Sequence, residues 1–135
     1  MQYFYSKKNN DEVNQMSPLT WAYVGDAVYE LFIRTYLVNT TNLKPHELHL
    51  KSIKYVKAKA QTEILEKLDN ILTEEEKEIV RRGRNTKTHH IAKNASMKEY
   101  MYSTALEALI GYLYLSNNEK RLNEIFEFII DKKNT

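Results

Sequence analysis

The stretch "YVGDAVYELFIR", residues 23–34, decides how the chain folds. It is apolar at most positions, yet Asp26 stands inside it between Gly25 and Ala27. A carboxylate in such surroundings is costly unless something binds it. From Pro18 to Ile33 the only charged residues are Asp26 and Glu30. Leu19, Trp21, Tyr23, Val24, Val28, Leu31, Phe32 and Ile33 cover most of the circumference of a helix, the pattern of a central element.

A second stretch behaves alike. In "YMYSTALEALIGYLYLSNN", residues 100–118, the only charge is Glu107, followed by Ala108, Leu109, Ile110 and Gly111. Small residues flank both acids, Gly25 and Ala27 in one helix and Ala105, Ala108 and Gly111 in the other. They allow two helices to approach at the close end of the roughly 8–10 Å range. Two carboxylates meeting in a dry seam repel, and one stays protonated. A divalent cation removes the conflict because it takes anionic oxygen ligands. The competing reading is structural, with each acid paired to an arginine or bonded to backbone. Glu30, four residues before Arg34, has the spacing of an i,i+4 ion pair.

The rest of the chain extends this helical pattern. Its 135 residues suit one domain with a real core. Three glycines and two prolines are few, and both prolines stand where helices start, which predicts an all-α protein. The first 16 residues read as a polar, mobile lead. Ser17-Pro18 is an N-cap and first helical residue, opening a helix to about Val38. Pro45 starts a second, to about Leu68. Thr73 with Glu76 is a capping box for a third, expected to end at Gly83. Ser96 with Glu99 opens a fourth, to about Leu115. A fifth runs from "SNN" to about Asp131, making five main helices. Cysteine is absent, so there is no disulfide framework or thiolate metal site, which suits a reducing cytosol. No apolar run reaches the roughly 20 residues that span a membrane. The opening "MQYFYSKKNNDEVNQ" lacks an apolar core with a small-residue cleavage site, so no signal peptide is expected.

"GDAVYELFIR" together with "TALEALIGYLYL" resembles the catalytic domain of the ribonuclease III family. "KYVKAKAQ" and "ILTEEEKEIVRRGRN" extend the resemblance over nearly the whole chain to that family's short branch, Mini-ribonuclease III. The resemblance implies an all-α endonuclease domain, Asp26 and Glu107 as catalytic residues and ligands of Mg²⁺, and cleavage of double-stranded RNA to 5′-phosphate and 3′-hydroxyl ends. It further implies a cytoplasmic homodimer maturing the precursor of large-subunit (23S) ribosomal RNA. Three positions depart from the longer enzymes. Leu19, Ala22 and Thr104 stand where that signature has carboxylates. One Mg²⁺ held by Asp26, Glu107 and waters is then the expected centre, since Mg²⁺ keeps several waters. No double-stranded-RNA-binding domain is expected after residue 135. A non-catalytic RNA-binding protein of ribosome assembly is the alternative, supported by the thinned carboxylate set.

Without such a domain the helices must hold RNA themselves. "KPHELHLKSIKYVKAKA" carries Lys44, Lys51, Lys54, Lys57 and Lys59 against Glu47 alone, and Lys51, Lys54 and Lys57 are expected to spiral along one helix. "RRGRNTKTHHIAKNASMK", residues 81–98, carries Arg81, Arg82, Arg84, Lys87, Lys93 and Lys98 and no acid. Residues 63–78 between them are acidic. Such segregation fits a phosphate-binding face, or plain solvation. His46 and His49 have the i,i+3 spacing of a metal pair without a third ligand. Arg84 and His89 match the R-x₄-H spacing of metal-independent helical nucleases, a spacing that chance also supplies.

Overall fold

The computed structural model describes residues 3–86 and 96–133. Its helices are α1 (Asn10–Asn14), α2 (Pro18–Thr40), α3 (Pro45–Val56), α4 (Ala58–Leu68), α5 (Glu74–Arg84), α6 (Met97–Leu115) and α7 (Glu119–Lys133). No strand occurs among the described residues, as the periodicity implied. The caps form as read. Ser17 Oγ accepts from Leu19 N at 3.1 Å. Thr73 and Glu76 form a reciprocal capping box, as do Ser96 and Glu99. Asn117 closes α6 in the left-handed region at φ 58°, where asparagine replaces the usual glycine.

Three boundaries differ from the sequence reading. The polar lead contains α1, which buries Val13 fully and offers its carbonyl to Trp21 Nε1 at 2.8 Å. The helix expected over residues 45–68 breaks at Lys57, whose ψ of 151° is extended and separates α3 from α4. Gly83 does not end α5 but lies buried in its last turn, because a Cβ there would come within 2.9 Å of Ala108 Cβ on α6.

The central element is α6, which packs against α2, α5, α4, α7 and α1. It is buried continuously over Ala108–Leu113, on all faces of the helix. The expectation that α2 is equally central needs correcting. Trp21, Ala22, Gly25, Tyr29, Ile33 and Leu37 form a single buried stripe with helical spacing. The opposite stripe is apolar but open, with Tyr23 82% and Leu31 51% exposed. A charge clamp joins α7 to α5. Arg121 on α7 donates to Glu76 Oε2 at 2.7 Å and to Ile71 O at 2.7 Å, closing over the start of α5.

Candidate active site

The site grows from the α2–α6 crossing. A Cβ on Gly25 would lie 1.7 Å from Glu107 O, and one on Gly111 would lie 1.8 Å from Trp21 O. Each glycine therefore seats the other helix's backbone directly against its own. That contact sets the height of both acids, because Asp26 follows Gly25 and Glu107 contributes the carbonyl that Gly25 touches. Both carboxyls line the same groove, and Asp26 lies near enough to bear on the Glu107 carboxyl.

Their surroundings are unequal. Asp26 is exposed at the mouth of a groove of about 1080 Å³, which also takes in Ala22, Tyr23, Ala27, Leu31, Thr104 and Glu107. Glu107 is more enclosed. Burial, then the negative charge of Asp26 and the bond to it, push its carboxyl up to about 8, opposed by Gln61. The Glu107 carboxyl therefore favours its protonated form at neutral pH, the expected outcome for an acid that is buried beside a like charge. Gln61 Nε2 lies 3.4 Å from Glu107 Oε2 and donates to Val56 O at 2.8 Å. Tyr29 is buried beneath, donates to Tyr55 O at 2.9 Å, and has its phenol raised by burial, by Tyr55 and by Glu107. Neither Gln61 nor Tyr29 was singled out from the sequence. Gln61 did leave a signal, as a polar residue on the apolar stripe formed by Ile64, Leu65 and Leu68.

These donors fit a hard divalent cation. All are oxygens, the carboxyl pair carries a repulsion that a cation would relieve, and the open Asp26 side leaves room for a water shell. The set is small. Ala22 and Thr104 are buried one turn before Asp26 and Glu107 and supply no carboxylate. Among the described residues no group of three or more histidines, aspartates or glutamates comes together. His46 and His49 are both exposed on α3.

The basic residues separate into distinct settings. Lys51 and Lys54 lie exposed on α3 and pair with no acid among the described residues. Lys57 departs from the expected spiral, because it occupies the α3–α4 break next to Val56, whose carbonyl Gln61 holds. Arg81 is engaged by Glu78 one turn earlier, at 2.9 Å from Nε. Arg82 is structural as well: its guanidinium lies 4.6 Å from the ring centre of the buried Trp21 and donates to Asn14 O at 3.3 Å, tying α5 to α1 and α2. Arg84 is half-buried at the end of α5. Glu30 pairs with Arg34 at 2.9 Å, as its spacing implied. Lys87, Lys93 and His89 lie outside the described residues.

The all-α domain thus brings two acids to one groove across a glycine-seated helix crossing. Residues 19–118 match the ribonuclease III domain model. The chain is 44% identical to Mini-ribonuclease 3 of Clostridium tetani over 96% of its own length and 87% of that protein. It is 48% identical to Mini-ribonuclease 3 of a Thermoanaerobacter species over 87% of its length and 83% of that protein. A crystal structure of a Fusobacterium nucleatum protein superposes with a TM-score of 0.80 at 34% identity, covering 90% of this chain and 98% of that one. The chain belongs to the ribonuclease III family.

Proposed function

We propose that this protein is an Mg²⁺-dependent endoribonuclease that hydrolyses double-stranded RNA, with the 23S ribosomal RNA precursor as its substrate in the bacterial cytoplasm. The observation that carries the reading is the Asp26–Glu107 carboxyl pair, open on one side to a groove, in a chain of this family. Mg²⁺ held there supplies an activated water and offsets the charge that develops on the scissile phosphate. The chain's own residues do the rest. Asp26 presents its carboxylate at the solvent side, where a phosphodiester can reach it. Glu107, once deprotonated, would add the second anionic oxygen. Gln61 keeps Glu107 turned toward Asp26. Water attack on phosphorus with departure of the 3′ oxygen leaves 5′-phosphate and 3′-hydroxyl ends.

Lys51, Lys54, Lys57 and Arg84 are the cations best placed to meet phosphates, which position a duplex without reading its bases. Lys57 adjoins Val56, whose carbonyl accepts from the Gln61 amide that faces Glu107. The apolar outer stripe of α2, with Leu19, Tyr23 and Leu31 exposed, supports a homodimer in which a second copy covers it. Duplex RNA cleavage tests the reading. Wild type should cut with Mg²⁺ and stop in EDTA, and Asp26→Asn should not cut while still binding RNA. Cutting that survives EDTA would sink it. The buried Ala22 and Thr104, which leave only two acids at the centre, favour one second reading, a non-catalytic RNA-binding protein of ribosome assembly. RNA binding by the wild type without cleavage under any condition would select that reading.

A further inference from the structure

Gln61 carries more than packing requires. It is 3% exposed and lies on the inward stripe of α4 beside Ile64 and Leu65. Its nitrogen faces two acceptors, Val56 O at 2.8 Å and Glu107 Oε2 at 3.4 Å. The amide therefore cannot be reversed, since turning it would set oxygen against two oxygens. Oε1 is committed to the other edge of the amide, where it is buried without a hydrogen-bond partner among the described residues. An unsatisfied buried acceptor costs about 1–3 kcal/mol. Leucine or methionine would fill the same stripe without that cost. The neighbouring Tyr29 hydroxyl is already spent on Tyr55 O. Once a cation is bound, Asp26 and Glu107 are ionised and act as acceptors only. The donor that Oε1 calls for is then a water, and waters bound to a divalent cation are strongly polarised donors.

We propose that Gln61 is a positioning residue of the cation centre, orienting the Glu107 carboxylate through Nε2 and accepting at Oε1 a hydrogen bond from a water of the cation's shell. This rests on the reading of Asp26 and Glu107 as cation ligands. It also gives the α3–α4 break a use, because the break frees the Val56 carbonyl that locks the amide. Partners of this kind fix ligand orientation, and their loss typically weakens metal affinity by about 10–100-fold.

The test is calorimetric titration of the full chain with Mn²⁺, without RNA, on wild type, Gln61→Met, Gln61→Asn and Asp26→Asn. Melting in EDTA establishes that each variant is folded. Gln61→Met should bind Mn²⁺ about 10–100-fold more weakly while melting in EDTA no lower than wild type and binding duplex RNA in EDTA equally well. Gln61→Asn, too short to span Val56 and Glu107, should lose affinity likewise and carries the test if the methionine variant does not fold. Asp26→Asn should abolish Mn²⁺ binding. Wild-type affinity in a folded Gln61 variant, with binding lost in Asp26→Asn, overturns the role of Gln61 and leaves the carboxyl pair standing. Mn²⁺ binding that ignores Asp26→Asn overturns both.

Discussion

Replacing Glu107 by glutamine should make the metal-free protein more stable and the enzyme inactive, and the pH dependence of the gain is the informative part. In the folded wild type the Glu107 carboxyl holds its proton up to about 8, first through burial and then through Asp26. In the unfolded chain it releases that proton in the ordinary carboxylate range, near 4.5. Between those values unfolding releases a proton, so this group's contribution is fully present below the lower value and is lost as pH rises through about 8. At about 1.4 kcal/mol for each tenfold change, the rise to about 8 caps the penalty near roughly 5 kcal/mol. The amide variant carries no such charge and can still accept from Gln61 Nε2. Urea or thermal unfolding of both proteins in EDTA, from pH 5 to pH 9, reads the difference directly, with the remaining titrating groups common to both. The two should be near-equal at pH 5, and the variant should lead by several kcal/mol at pH 9, at roughly 4 °C of melting temperature per kcal/mol. Mg²⁺ should narrow the gap by stabilising only the wild type, with an affinity that climbs with pH as the Glu107 proton is displaced. A difference that stays constant across this range refutes the proton held on Glu107 and the cation logic built on it.

Gly25→Ala should destabilise the fold by more than the roughly 1–3 kcal/mol of ordinary overpacking and abolish cleavage, because the added Cβ meets Glu107 O at 1.7 Å; urea unfolding and a duplex cleavage assay check it. Arg121→Met should cost about 3–5 kcal/mol in urea by leaving Glu76 charged and unpaired in the interior. Burial alone would raise the Glu76 carboxyl, but Arg121 and the Thr73 cap hold it below its ordinary value, so its contribution is present above the ordinary carboxylate range and is lost on further acidification. Arg82→Ala and Arg84→Ala should separate cleanly. The first should lower the melting temperature by losing a desolvated contact with Trp21 worth about 2 kcal/mol. The second should leave melting unchanged, weaken duplex binding, and reduce its salt slope by about one.

The helix starts and the all-α class were legible because each depends on residues close in sequence. Ser17-Pro18, Thr73-Glu76 and Ser96-Glu99 satisfy backbone donors within one turn, so their chemistry needs no tertiary partner. Small residues beside Asp26 and Glu107 announced a close crossing for the same local reason. Burial on one face could not be told from burial on all faces. The apolar surplus of α2 resembles that of α6, yet only packing shows that Tyr23 and Leu31 stay open while Ala108–Leu113 are enclosed. The basic residues were the least legible. Charge alone does not distinguish Arg82, spent on the ring of Trp21, from Lys51 or Lys54, spent on no acid described. The break at Lys57 was equally hidden, since no glycine or proline marks it. It is supported by the Gln61 side-chain amide, which donates to Val56 O and faces Glu107, 46 residues further on. Sequence by itself determined which groups could carry the chemistry, because side-chain type and helical period are local. Tertiary structure alone decided which of them meet, which carboxyl holds the proton, and which amide stands beside it, because those depend on contacts and burial between distant segments.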